Sequence, residues 1–164
     1  CLARFKGVER RQSILWNTPH LVVAEDFAHH PTALHVTLKA FKNSYPNRYL
    51  VACFEPACNT SASQYLGRHA GHAFQYADDV WIAPPKSRLF SDKFIPSLAP
   101  LSVEELVKKL SSEGRPAQAF ASIEALRNHL KSFHPSRPTF LCFFSNGPLT
   151  HLTREFVNHL GHPG

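Results

Sequence analysis

Four short apolar runs recur along this chain: Leu-Val-Val-Ala at 21–24, Tyr-Leu-Val-Ala-Cys-Phe at 49–54, Val-Trp-Ile-Ala at 80–83 and Thr-Phe-Leu-Cys-Phe-Phe at 139–144. Runs this short and this continuous mark strands covered on both faces. Segments with apolar residues at helical spacing follow them. Strands separated by a helix's worth of chain pair in parallel, because a parallel connection must cross back over the sheet. The pattern predicts an α/β domain of the Rossmann-like, three-layer α/β/α kind with a mostly parallel sheet. Residues 13–16 and 20–24 flank Asn17-Thr18-Pro19, which adds an antiparallel hairpin at the N-terminal edge.

Local signals place the helices. One spans 31–43, with Pro31 at its first position and Ala33, Leu34, Leu38 and Phe41 on one face. A second covers 63–76. Ser102, with Glu105 three residues on, caps a third that ends near Gly114. A short strand at 117–121 precedes a helix that begins at Ser122 and runs to 133, and a last helix from 149 stops at Gly161. Residues 86–100 show no period and are expected to form an irregular surface loop.

The 164 residues suffice for one domain with its own core, and 43% of them are hydrophobic. The chain contains no Met and is expected to be a piece of a longer protein. No apolar run approaches the roughly 20 residues that span a bilayer. Cys1, Cys53, Cys58 and Cys142 fit no zinc spacing, and Cys53 and Cys142 fall within apolar strands. Reduced thiols and a cytoplasmic location follow as expectations. The net charge of +6 suits an anionic partner. The bases are spread along the chain, which favours a nucleotide or phosphate over a nucleic acid or a membrane. A solvated basic surface is the other reading.

In parallel sheets, ligands bind outside the carboxyl ends of the strands. Those ends carry Glu25-Asp26, Glu55-Pro56, Pro84 and Ser145-Asn146-Gly147. Asp26 suits either a ribose diol or the capping of the helix that opens at Pro31. His29 and His30 suit a phosphate, a base or a metal, or a structural hydrogen bond. As neighbours they point in different directions, so they do not share one metal. Asn59 and Thr60 read locally as a helix cap, and Ser145-Asn146-Gly147 as a turn. Glu55 has no obvious carboxylate partner, which argues against a two-carboxylate hydrolase. No P-loop, no Rossmann glycine fingerprint and no Gly-x-Ser-x-Gly elbow is present. The chain therefore lacks phosphate-handling machinery of its own.

Taken together, Gly7-Val8-Glu9-Arg10-Arg11, Asp26-Phe27-Ala28-His29-His30-Pro31-Thr32-Ala33 and Phe54-Glu55-Pro56-Ala57-Cys58-Asn59-Thr60 resemble the C-terminal domain of the Mur ligases. These are ATP-dependent amide-bond ligases of peptidoglycan synthesis; the resemblance runs from Phe5 to the Ser145-Asn146-Gly147 turn, essentially the whole chain, and implies that residues 1–164 form that one domain. Phe27-Ala28 and Glu55 are similar to the branch that joins UDP-N-acetylmuramate to the tripeptide L-alanyl-γ-D-glutamyl-meso-diaminopimelate in peptidoglycan recycling. The branch that adds L-alanine is the alternative, and a non-catalytic nucleotide-binding module is a third reading.

The resemblance implies that Arg11, Asp26, His29 and His30 contact ATP. It implies that Asn59, Thr60, Ser145 and Asn146 face the incoming peptide. It also implies that ATP phosphorylates a carboxylate of the UDP-sugar, that Mg2+ is held mainly by a central domain outside this chain, and that this domain supplies no catalytic residue and no metal ligand. The isolated domain is then expected to be inactive. Ala57 and Cys58 depart from the family's Arg and Ser, and Pro148-Leu149-Thr150-His151 replaces further glycines; both departures lie on the peptide-facing side.

Overall fold

The computed structural model describes residues 11–56, 64–85, 102–145 and 147–161. Six strands, β1 (Ser13–Asn17), β2 (Leu21–Asp26), β3 (Tyr49–Phe54), β4 (Asp79–Ile82), β5 (Ala117–Ala119) and β6 (Thr139–Phe144), form one sheet in the order β1-β2-β6-β3-β4-β5. Only β1 runs antiparallel, and it pairs with β2 through an irregularity between Ile14 and Trp16. The hairpin and the mostly parallel sheet agree with the sequence pattern. The helices are α1 (Pro31–Ser44), α2 (Gln64–Ala73), α3 (Val103–Ser112), α4 (Ile123–Lys131) and α5 (Leu149–Gly161). The expected loop at 86–100 lies outside the described residues.

Side chains alternate along each buried strand and so build two cores. Val22 and Ala24 of β2, with Phe140, Cys142 and Phe144 of β6, face Leu34 and Leu38 of α1, Leu66 of α2 and Leu106 of α3. Val23, Leu141 and Phe143 face Leu126 and Leu130 of α4 and Leu152 and Phe156 of α5. Three helices thus cover one face and two the other. A fully buried side chain of this size contributes about 1.5–3 kcal/mol. Cys53 and Cys142 are buried free thiols. Burial pushes both up, Cys142 well above the ordinary thiol value, which keeps them protonated and unreactive.

Element ends follow local chemistry. Ser102 Oγ accepts from Glu105 N–H at 3.2 Å and Ser122 Oγ from Ala125 N–H at 3.0 Å, capping α3 and α4. Gly114 follows α3 with φ of +77°, a left-handed conformation that glycine tolerates. Gly161 is the last residue of α5 rather than the residue after it. No helix among the described residues is long and apolar enough to cross a membrane.

Strand β6 lies between β2 and β3, although it is last in sequence. The chain leaves β2 and β3 toward α1 and α2 on one face but leaves β6 toward α5 on the other. The order therefore switches at β6, and the carboxyl ends of the strands beside such a switch are the usual ligand position of such sheets.

At the other end of the sheet, His129 of α4 meets the Trp81 ring edge-on, with centroids 4.6 Å apart. Its Nε2 is buried with no hydrogen-bond partner among the described residues. Burial lowers its pKa, opposed by nearby Asp79. With the folded pKa below the unfolded value near 6.5, the unfolded chain binds the proton more readily. Stability from this site is present above that value and is lost as the pH falls below it. In urea titrations the midpoint should fall between about pH 7.5 and 5. His129→Phe should remove part of that fall; equal falls in both proteins would contradict the assignment.

Candidate functional site

Asp26 ends β2 with its side chain buried. Its Oδ2 accepts from Gln12 N–H at 2.9 Å and its Oδ1 from Ala28 N–H at 2.7 Å. Gln12 adopts a φ of +48°, the only positive φ at a non-glycine among the described residues. One carboxylate thus holds the entry to β1 and closes a tight turn after β2. Each of its oxygens offers two acceptor sites, so capacity for a ligand hydroxyl remains. Asp26 does not cap α1, one of its two sequence readings; the cap is His30.

The two histidines divide their roles. His30 is extended at φ −94° and ψ 143°, and its Nδ1 accepts from Thr32 N–H at 3.3 Å. A neutral His30 ring then carries its proton on Nε2. His29 Nδ1 lies 3.0 Å from Phe27 O, which only a protonated Nδ1 can satisfy, leaving Nε2 of the neutral ring as an acceptor. These tautomers are assigned from the hydrogen bonds. The His29 ring meets Phe27 edge-on at 5.3 Å, while His30 contacts Tyr65 of α2 at 5.6 Å. The neighbouring histidines do diverge, as their adjacency requires.

Arg11, Gln12, Asp26, Phe27, His29 and Thr37 line an open groove of about 510 Å³ that also takes in His30. That volume falls within the range of small-molecule sites. Phe27 and Val36 place exposed apolar surface on its walls. The groove therefore offers a guanidinium for an anion, a carboxylate for a diol, imidazoles of opposite hydrogen-bonding sense and an aromatic face. All four residues expected at the nucleotide, Arg11, Asp26, His29 and His30, come together here. Phe27 is an addition: the sequence places it in the motif but gives no sign that its ring is exposed.

Of the other expected group, only Ser145 falls among the described residues. Asp26, Phe144 and Phe54 stand in register on β2, β6 and β3, so Ser145 and Glu55 are the next residues outward. Ser145 N–H donates to Asp26 O at 3.1 Å, and Glu55 N–H to Phe144 O at 3.0 Å. The Ser145 hydroxyl donates to the Glu55 carboxylate, and Leu149 N–H reaches the same oxygen at 3.3 Å. Glu55 has a hydroxyl partner from the far end of the chain rather than a second carboxylate. Asn59, Thr60 and Asn146 lie outside the described residues, as do Ala57 and Cys58. No group of three or more His, Cys, Asp or Glu among the described residues could hold a metal ion.

No family model matches the chain. Its sequence is 30% identical over 129 residues to the UDP-N-acetylmuramate–L-alanine ligase of Desulfitobacterium hafniense, spanning 79% of this chain and 28% of that protein. Its fold matches a murein peptide ligase of Psychrobacter arcticus with a TM-score of 0.73 at 23% identity, over 98% of this chain and 32% of that one. A domain crystallised by itself, from a Haemophilus ducreyi protein assigned as a UDP-N-acetylmuramate:tripeptide ligase, matches with a TM-score of 0.62 at 22% identity, over 92% of this chain and 99% of the domain. The chain spans about a third of the length of the curated relatives it matches.

The bonds of Asp26 give it a structural task independent of any ligand. Asp26→Asn leaves one oxygen but turns an amide donor toward a backbone N–H. Its unfolding free energy in urea should fall by about 1–3 kcal/mol. An unchanged value would mean that Asp26 does not hold Gln12 and Ala28.

Proposed function

The chain has the fold of a Mur ligase C-terminal domain and shares sequence with ligases of that group, and from that premise we propose that it covers ATP and the amine substrate in an ATP-dependent ligase acting on UDP-N-acetylmuramate. The observation that carries this reading is the gathering of Arg11, Asp26, Phe27 and His29 in one groove beside the switch in strand order. The Asp26 carboxylate accepts from the ribose hydroxyls. The Arg11 guanidinium faces a phosphate. The base lies against Phe27 and the outward edges of His29 and His30.

Ser145, Asn146, Asn59 and Thr60 are assigned to the amine by the resemblance, and Ser145 stands at the end of β6. In this reading the γ-phosphate and Mg2+ fall to domains outside this chain. What this domain contributes is closure: it brings the amine to the activated carboxylate and excludes water from an acyl phosphate that water would hydrolyse.

We assign the amine as the tripeptide L-alanyl-γ-D-glutamyl-meso-diaminopimelate, on Phe27-Ala28 and Glu55, with recycling of peptidoglycan as the setting. L-alanine is the second reading, favoured by the names of the sequence relatives. Joining this chain to amino-terminal and central ligase domains and following ADP release tests both. Turnover should require all three domains, UDP-N-acetylmuramate and the tripeptide. Preference for L-alanine would replace the first assignment with the second, and ADP release by this chain alone would contradict the covering role. Phe27→Ala and Arg11→Ala should each raise the KM for ATP about tenfold and leave the amine KM within about twofold.

A further inference from the structure

The Glu55 carboxylate is 3% exposed and sits where β3 ends beside β6. It accepts from the Ser145 hydroxyl at the end of β6 and from the N–H of Leu149, the first residue of α5. The Ser145 oxygen in turn accepts from Gly147 N–H at 3.0 Å. One buried side chain therefore joins the end of β3, the end of β6 and the amino end of α5. Chain connectivity joins the end of β6 to α5 through a short segment, but joins neither of them to the end of β3. The segment after β3 leads to α2 in one layer, and the segment after β6 leads to α5 in the other. The Glu55 N–H already bonds Phe144 O, and the Glu55 side chain extends that tie to Ser145 and to α5. A buried carboxylate is costly unless its oxygens are hydrogen-bonded, and here a hydroxyl, a backbone amide and the positive end of a helix offset that cost. On the β2 side, Asp26 spends its oxygens on Gln12 and Ala28 instead.

We propose that Glu55 is a positioning residue: its carboxylate oxygen holds Ser145 and Gly147 in place on the rim that meets the amine substrate, and it does so as a hydrogen-bond acceptor. The tie stands on the bonds alone, and its consequence for the amine rests on the ligase reading above. An acceptor can be supplied by an amide oxygen, so Glu55→Gln should keep the tie while Glu55→Ala breaks it.

Hydrogen exchange on the chain itself tests the tie, since the chain has its own cores on both faces of the sheet and a similar domain was crystallised alone. In Glu55→Ala the amides of Gly147 and Leu149 should exchange about tenfold faster, with Gln12 and Ala28 unchanged, and Glu55→Gln should stay within about threefold of wild type. Unchanged protection at Gly147 and Leu149 in Glu55→Ala would overturn the tie whatever the protein does. In the joined ligase, Glu55→Ala should raise the amine KM about tenfold with the ATP KM within about twofold, and Glu55→Gln should restore it. An unaltered amine KM despite faster exchange would overturn the positioning role. Loss in Glu55→Gln equal to that in Glu55→Ala, with protection intact, would overturn it too and make Glu55 a charge-bearing ligand. No turnover in the wild-type joined protein would overturn the ligase reading and the substrate-facing half of this proposal, while exchange would still decide the tie.

Discussion

The place of β6 between β2 and β3 sets the rest of the structure. It is the last strand in sequence and lies near the middle of the sheet. Its side chains are buried on both faces, with Phe140 and Phe144 toward α1–α3 and Leu141 and Phe143 toward α4 and α5. Because the chain leaves it on the opposite face from its two neighbours, the order switches there, at the usual ligand position of such sheets. Two cores hold β6 there, so the geometry of that edge inherits the stability of the whole fold.

At that edge, polar groups serve the scaffold first. Asp26 and Glu55 are both buried carboxylates, and each accepts from backbone or hydroxyl donors that include one distant in sequence, Gln12 for Asp26 and Ser145 for Glu55. Ligand-facing capacity comes from what is left: the remaining lone pairs of Asp26, the outward nitrogens of His29 and His30, the Arg11 guanidinium and the exposed Phe27 ring. A residue can fix the loop and still present a free acceptor, because a carboxylate has more acceptor sites than one turn consumes.

The architecture was legible because the apolar runs are continuous in strands and periodic in helices. Residues 139–144 read as a doubly covered strand and are one. Ser102 read as a cap and accepts from Glu105 N–H as the spacing requires. α2, α4 and the short β5 end at Ala73, Lys131 and Ala119, short of the expected 76, 133 and 121, while α5 differs by a single residue, since fraying and turn geometry decide the terminal residues. Within the site, the strand-end position of Asp26 was readable, but its partner Gln12 was not: a backbone N–H leaves no mark in composition, and a positive φ at glutamine is not announced by the side chain. The Glu55–Ser145 bond spans 90 positions of sequence, beyond any local pattern. His30 as the cap of α1 was missed because Asp26 is the more usual capping residue type.

In the proposed function, the Asp26–His30 turn and the first turns of α1 form the nucleotide side of a ligase domain. Photolabelling the joined ligase with an azido-adenine analogue of ATP, followed by peptide mapping, tests it most directly. Label is expected within residues 27–36, reduced by Phe27→Ala and competed away by ATP. Competable label confined to other parts of the protein, with none on this turn, would contradict it.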